Sequence, residues 1–134
     1  MTEKLSAKAA ELLLEPNIAH LATLMADGSP QVTPVWVDYD GVHVLINTAL
    51  GRVKARNLAR DERVALSVTD RNNAFRTVSV RGLVVEITEE GAWDHITKLA
   101  KKYRGVDHYG GSATERRIIV RIAPTHVLER GLDR

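Results

Sequence analysis

The part of the chain that most clearly offers chemistry is a basic segment near its middle. It contains Arg52, Lys54, Arg56, Arg60 and Arg63. Thr48 precedes the segment, and from there it can cap a helix whose first backbone N–H groups attract anions. Arginine can grip a phosphate with two hydrogen bonds, and lysine adds a point charge. The segment therefore predicts a phosphate site; the alternative is a solvated basic face, partly neutralised by Asp61 and Glu62.

A second candidate is the stretch Gln31-Val32-Thr33-Pro34-Val35-Trp36, which has the alternation of a strand. Proline forbids one ladder hydrogen bond, so this strand should be irregular or lie at an edge, where backbone can face a ligand. Trp36 adds a flat apolar surface with one donor. The alternative is an ordinary edge strand carrying a core tryptophan.

Other catalytic signals are missing from the sequence. It has no cysteine and five histidines without the spacing of a metal site, so neither a thiolate nucleophile nor a metal centre is predicted. No nucleophile elbow, P-loop or GxGxxG segment is present. If the protein is an enzyme, a bound cofactor should carry the reaction. The glycine-rich stretch 105–113 is either a mobile lid or a flexible connection.

Composition narrows the class of protein. The chain has 134 residues, 44% of them hydrophobic and 27% charged, which fits one globular domain over 1–134. The absence of cysteine, of a signal peptide and of a long apolar run predicts a cytoplasmic protein without membrane contact. A net charge of +2 and an aromatic fraction of 4% argue against nucleic-acid binding, which needs more charge and more stacking surfaces.

The elements that must position these residues follow from periodicity and turn signals. A short helix is expected within residues 1–16, ended by Pro16, and an amphipathic helix within 90–104. A third helix is expected over 51–60. The predicted strands are 17–25, 31–38, 42–47, 63–69, 75–88 with a bend at Gly82, 117–122 and 126–129. Strands joined by tight turns predict antiparallel pairing in meander order, closed into a barrel, in a mainly β fold with short helices (α+β).

Four segments taken together resemble a known family. They are IAHLATLMADGSPQVTPVWVDYDG, NTALGRVKARNLARDERVALSV, VRGLVVEIT and RIIVRIAPTHV. Their order and spacing are similar to those of the pyridoxamine 5′-phosphate oxidase-like split β-barrel proteins. The motif around GRVKARNLARD resembles the branch called flavin/deazaflavin oxidoreductases of class B, which uses coenzyme F420. The resemblance implies an antiparallel, FMN-binding-like split barrel.

The resemblance also implies a cofactor site. Such proteins are homodimers with cofactors in grooves between the subunits. Val32, Thr33, Pro34, Val35 and Trp36 would lie against the ring, largely through backbone. Asn47, Thr48, Arg52 and Lys54 would hold the phosphate, with Val53 beside them, and Arg76 would come from the partner subunit.

By the same resemblance, the protein is expected to be an F420-dependent reductase. It would transfer a hydride to a conjugated small molecule such as a biliverdin-like tetrapyrrole, a quinone or an enone. His108, Tyr109 and Arg76 are candidate proton sources. FMN is the alternative cofactor, and the longer motifs of pyridoxamine phosphate oxidases are missing from the sequence. A non-catalytic flavin or haem carrier on the same fold is a further alternative.

Overall fold

A computed structural model describes residues 2–133, which form three helices and a seven-stranded antiparallel sheet. The helices are α1 (Ala7–Leu14), α2 (Val53–Arg60) and α3 (Ala92–Arg104). The strands are β1 (Ala19–Leu24), β2 (Pro30–Val35), β3 (Val37–Tyr39), β4 (Val44–Ala49), β5 (Arg63–Asp70), β6 (Asn73–Thr88) and β7 (Arg117–Arg130). The predicted mainly β class with short helices is confirmed.

The strand that closes the barrel is interrupted at Trp36. The predicted strand 31–38 is divided there into β2, which pairs with β1, and β3, which pairs with β4. Because β2 and β3 are consecutive, the sheet order β2-β1-β5-β6-β7-β4-β3 returns on itself. The predicted meander order is wrong, since β1 pairs with β5 and β4 with β7. Only hairpin partners are set by local turns; the remaining pairings bury the interior.

The two longest strands, β6 and β7, bend together. Their register shifts between Arg81 and Gly82, where Gly82 faces Pro124. A Cβ on Gly82 would lie 2.5 Å from the carbonyl oxygen of Ala123, so only glycine fits without displacement. The predicted bend at Gly82 is confirmed. The two strands expected over 117–122 and 126–129 are one, because Pro124 falls at the irregularity, where no ladder hydrogen bond is lost.

The interior of the barrel is filled by aliphatic side chains, and α1 covers one end. Ser6 caps α1 by accepting a hydrogen bond from the amide of Ala9, and the helix ends before Pro16. Its apolar side chains join the main core. The largest fully buried side chains are Leu12, Leu13, Leu21, Val37, Val44, Ile46, Val68, Val78, Val80, Leu99, Val120 and Ile122.

Helix α3 packs on the outer surface of β4 and β7. Gly91 and Gly105 flank it in the left-handed conformation, and Ala92 packs with Leu45 and Ile119 beneath it. Its other end supplies Tyr103 to the break at Trp36. Helix α3 therefore forms one wall of a groove on the outside of the barrel.

Within residues 2–133 no helix is long and apolar enough to cross a membrane.

Candidate functional site

A groove of about 430 Å³ opens where the break at Trp36, the start of α2 and helix α3 meet. It brings together six residues that the sequence analysis singled out: Pro34, Val35, Trp36, Asn47, Arg52 and Lys54. The remaining lining residues were not predicted as cofactor-binding; they are Ile18, Ile96, Arg104, Tyr109 and Arg117. One side of the groove is apolar and the other is cationic, so the groove can hold a flat ring at one end and an anion at the other.

The cationic side begins at the first turn of α2. The helix starts at Val53, and Arg52 occupies the N-cap position without a side-chain hydrogen bond to the helix. No acceptor among the described residues faces the amides of Val53, Lys54 and Ala55. Free N–H groups at a helix start favour an anion.

Thr48 does not cap this helix, so that prediction was wrong. It lies in β4, on the inward face shared with Val44 and Ile46, and it is buried. Its hydroxyl oxygen has no hydrogen-bond partner in the part of the chain that the structure describes. The helix begins four residues later than a Thr48 cap would require, because β4 continues to Ala49 and a turn at Leu50 and Gly51 follows it.

Three cations meet beside these amides. Arg52 is half exposed and lies 3.4 Å from the carboxylate of Glu115. Lys54 is partly buried and has neither an ion pair nor a hydrogen bond within residues 2–133. Burial, followed by the charges of Arg52 and Arg117, lowers the pKa of Lys54. Lys54 is thus a desolvated cation among cations, an arrangement that a bound anion would stabilise.

Arg117, the third cation, is almost completely buried at the start of β7. Its Nε donates to Asn47 Oδ1 at 2.9 Å, and its Nη1 donates to the hydroxyl of Tyr109 at 3.2 Å. The guanidinium also lies 5.1 Å from the centre of the Tyr109 ring. Nη2 has no partner among the described residues, and the side chain lines the groove. This nitrogen is available to an anion in the groove.

Asn47 is held in one orientation by groups that can only donate or only accept. The carbonyl of Ala92 requires Asn47 Nδ2, at 2.8 Å, and the Nε–H of Arg117 requires Oδ1. Nδ2 therefore also donates to His95 Nδ1, at 3.1 Å. Since Nδ1 accepts, the ring proton is on Nε2, which donates to Asp38 at 3.1 Å. All hydrogen-bonding groups of the Asn47 amide are in use.

Asp38 is the buried end of this chain of hydrogen bonds. Burial raises the pKa of its carboxyl, but hydrogen bonds from His95 and the Tyr39 amide, with the charge of Lys98, outweigh burial and hold it well below its usual range. Asp38 therefore stays ionised and fixes the tautomer of His95. No motif or spacing in the sequence predicts a role for Asp38, and His95 is one of five histidines that lack the spacing of a metal site.

The apolar side of the groove is built around Trp36. Its ring stacks on Tyr103, with centroids 5.3 Å apart and planes 4° apart. The hydroxyl of Tyr103 accepts from the amide of Val37 at 3.1 Å and donates to the carbonyl of Asn17 at 2.6 Å. Lys102 donates to the carbonyls of Leu13 and Val37, and burial lowers its pKa to about 8. These contacts pin the break in the barrel to α3.

The other predicted cofactor residues lie outside the groove lining of the single chain. Val32 is on the outer face of β2 beside a different hollow, and the side chains of Thr33 and Val53 do not line the groove. Arg76 pairs with Asp70 at 2.7 Å near the β5–β6 turn. Of the three candidate proton sources, Tyr109 lines the groove, whereas His108 and Arg76 do not.

Two arginines of the basic segment 52–63 are paired with other groups of the chain. Arg60 donates to the carbonyl of Leu24 and to Asn57, and the guanidinium of Arg63 forms two hydrogen bonds with Asp61. Of the five cations in this segment, Arg52 and Lys54 line the groove.

A second hollow, of about 630 Å³, lies on the outer face of the sheet. Cross-strand pairing aligns Pro34, His20, Ser67, Ser79 and Leu128 in one row across five strands. The small side chains at its centre make the face shallow, and Leu128 is 53% exposed. No group of His, Cys, Asp or Glu within residues 2–133 has the arrangement of a metal site.

Comparison with known proteins places this architecture. The sequence profile described as pyridoxamine 5′-phosphate oxidase matches residues 5–131. A solved F420 reductase is 32% identical, with a TM-score of 0.83, over 92% of this chain and 98% of that one. A conserved hypothetical protein from Mycobacterium tuberculosis is 26% identical, with a TM-score of 0.74, over 96% and 86%. A FAD-binding protein from Mesorhizobium loti, 21% identical over 95% of each chain with a TM-score of 0.64, shares the fold. With nearly its whole length matched, this split β-barrel chain belongs to the pyridoxamine 5′-phosphate oxidase family.

Proposed function

We propose that this protein binds the deazaflavin coenzyme F420 in the groove beside Trp36 and acts as an F420-dependent oxidoreductase. The observation that carries the proposal is the cluster of Arg52, Lys54 and Arg117 at the start of α2, in which Lys54 has no counter-charge among the described residues. The similarity to an F420 reductase over nearly the whole chain supports the choice of cofactor.

The residues present fit such a cofactor. A phosphate beside α2 would accept hydrogen bonds from the free amides of residues 53–55 and form ion pairs with Lys54 and Arg117. A tricyclic ring would lie along the backbone and side chains of Pro34, Val35 and Trp36. A purely structural role does not explain Lys54, because a partly buried lysine without a counter-charge does not stabilise the fold.

When reduced, the cofactor supplies a hydride to an electron-poor conjugated acceptor. The chain's own part is to fix the cofactor and exclude water from the ring. Trp36, held flat by Tyr103, and Ile96 provide the apolar wall. The hydroxyl of Tyr109 accepts a hydrogen bond from Arg117 and lines the groove, so its proton can be given to a bound acceptor. The proposed acceptors are a biliverdin-like tetrapyrrole, a quinone or an enone.

We also propose that the protein is a homodimer, with the sheet face around Ser67 and Ser79 as its interface. The face is shallow, has small residues at its centre and carries exposed apolar side chains at Val32 and Leu128. It borders the groove through Pro34, which pairs with His20 of that face. A second copy on this face would complete the groove wall and bring Arg76 of the partner near it.

Titration of the purified protein with F420 and with FMN, followed by tryptophan fluorescence, tests the cofactor. Trp36 lines the groove and Trp93 packs edge-on against Tyr109, so both report on it. We expect micromolar or tighter binding of F420. Tight binding of FMN without binding of F420 would replace the proposal by its FMN alternative. Binding without turnover of quinone, enone or biliverdin would indicate a carrier.

A further inference from the structure

The chain of hydrogen bonds from Asp38 to Arg117 ends in the groove, and one nitrogen of the guanidinium is left over. Asp38 fixes His95, His95 fixes Asn47, and Asn47 fixes the Nε of Arg117. Asp38, Asn47, His95 and Arg117 are each less than a tenth exposed. Burying four polar side chains is costly unless each is paired. Nε and Nη1 of Arg117 have partners, whereas Nη2 has none among the described residues, and the side chain lines the groove.

We infer that Arg117 binds the anion in the groove alongside Lys54, and that Asp38, His95 and Asn47 are positioning residues that orient its guanidinium. The inference deepens the proposed function and rests on it for the identity of the cofactor. It also reassigns Asn47, which the family resemblance made a phosphate contact. Its amide has no free donor, because both hydrogens go to Ala92 and His95.

The geometry favours positioning over a purely structural role. The one carboxylate that pairs with Arg117 is that of Glu115, whose Oε1 accepts from Nη1 at 3.5 Å, and Glu115 is shared with Arg52 at 3.4 Å. A single carboxylate thus faces two guanidinium groups, and the neutral amide of Asn47 binds Nε without adding a second negative charge. Burial lowers the pKa of Arg117, and Arg52 adds to that effect, whereas Tyr109 and Glu115 oppose it. The guanidinium remains charged.

A double-mutant cycle tests this relation. His95→Gln removes the Nδ1 acceptor that orients Asn47, and we expect about a tenfold loss of cofactor affinity. Arg117→Lys keeps the charge but has no Nε to be aimed. In that background His95→Gln should weaken binding by less than about twofold. An equal loss in both backgrounds, or no loss in the first, would overturn the inference. His43→Gln, at the β3–β4 turn away from the groove, is the matched control and should leave affinity unchanged.

Asn47→Asp separates aiming from packing in a second way. The carboxylate can still accept from Arg117, but it cancels the charge offered to an anion. Because a carboxylate cannot donate to the Ala92 carbonyl or to His95 Nδ1, thermal unfolding must first show a folded variant, in which we expect at least a tenfold loss of affinity. Unchanged affinity would contradict the inference.

Nuclear magnetic resonance supplies a readout that does not depend on the cofactor. The ¹⁵N signals of His95 should show a bare Nδ1 and a protonated Nε2, and the Nε–H of Arg117 should shift when inorganic phosphate is added. Loss of that shift in His95→Gln supports the inference even if neither F420 nor FMN binds, in which case the proposed function alone fails. No shift in the wild type would overturn it.

Discussion

Trp36 and Tyr103 stack almost in parallel, with ring centroids 5.3 Å apart, at the one point where the barrel's closing strand is interrupted. Tyr103 also satisfies the Val37 amide and the Asn17 carbonyl on either side of that break. One side chain of α3 thus pairs backbone groups that the strands leave free and holds a wall of the groove. Stability and site geometry should therefore depend on the same hydroxyl.

Replacing Tyr103 by Phe should change the alkaline stability profile. Burial raises the pKa of Tyr103 to about 12; the hydrogen bond with Val37 opposes this and the charge of Asp38 adds to it. Between the ordinary tyrosine pKa of about 10 and this value the folded state binds the extra proton, so stability falls as pH rises. Tyr103→Phe should lose about 1–3 kcal/mol at neutral pH, because two backbone groups lose their partner, and should lack most of this alkaline decline.

Urea unfolding at pH values from 7 to about 11.5 measures both effects. Tyr39→Phe is the control, since the Tyr39 hydroxyl donates to the Gly41 carbonyl at the far side of β3 and is not part of the break. The same alkaline decline in wild type and Tyr103→Phe would contradict the prediction.

The second prediction concerns the cations of the groove. Lys54→Ala and Arg52→Ala should each weaken F420 binding by about 1.5–3 kcal/mol if the contacts are charge-assisted hydrogen bonds. The loss at Arg52 should be the smaller one, because Arg52 is half exposed and already pairs with Glu115. Without cofactor, Lys54→Ala should not lower the melting temperature, because it removes a charge that repels Arg52 and Arg117.

Calorimetric titration gives the affinities, and thermal unfolding gives the stabilities. Lys101→Ala is the matched control, an exposed lysine of α3 outside the groove lining. Unchanged affinity in both groove variants would show that Arg52 and Lys54 do not contact the cofactor.

How far the sequence predicts this site is shown by Lys54 and Arg117. Lys54 lies in a basic segment at the start of a helix, so composition and helix-start rules predict it as an anion contact. Arg117 comes directly before an apolar run, so the sequence pattern indicates only the start of a strand there. Its partner Asn47 is 70 residues away, and Asn47 and His95 are 48 residues apart. No local spacing encodes such pairs; they exist only after β4, β7 and α3 have packed.

The fold also has features that local sequence predicts and features that only long-range packing determines. Turn signals predict the β1–β2 and β5–β6 hairpins because each is a local choice of backbone angles. The pairing of β1 with β5 and of β4 with β7 depends on burying the interior, which a single strand's alternation does not specify. Two strands were predicted over 117–122 and 126–129, but they form the single strand β7, in which a register shift accommodates Pro124.

The third prediction is a pH dependence of cofactor binding. The pKa of Lys54 is lowered in the free protein, first by burial and then by Arg52 and Arg117, and a bound anion would raise it again. Binding should therefore take up a proton at alkaline pH, and affinity should fall as pH rises through the lowered pKa. Lys54→Arg should retain its affinity to higher pH, because arginine stays protonated. Titrations in buffers of different ionisation enthalpy measure the proton uptake, and identical pH profiles for wild type and Lys54→Arg would refute it.

The fourth prediction tests the bend of β6. Gly82→Ala places a Cβ 2.5 Å from the Ala123 carbonyl oxygen and 2.8 Å from the Ile122 Cγ2, so the two strands must separate. We expect a loss of about 1–3 kcal/mol in the free energy of unfolding. Gly110→Ala is the control, because nothing lies within 4 Å of its added Cβ. Denaturant unfolding that shows equal stability for the two variants would mean that the strands at Gly82 yield freely.

The last prediction links the proposed dimer to the cofactor. Leu128 is 53% exposed on the sheet face that we propose as the interface, and Val42 is 57% exposed at the β3–β4 turn. Leu128→Arg places two charges, one from each subunit, in an apolar contact, and should shift the protein to monomer in light scattering. Val42→Arg adds the same charge at similar exposure and should remain dimeric. Because the proposed second copy would complete the groove wall, the Leu128→Arg monomer should also bind F420 at least about tenfold more weakly. A wild type that is already monomeric yet binds F420 tightly would show that one chain forms the whole site.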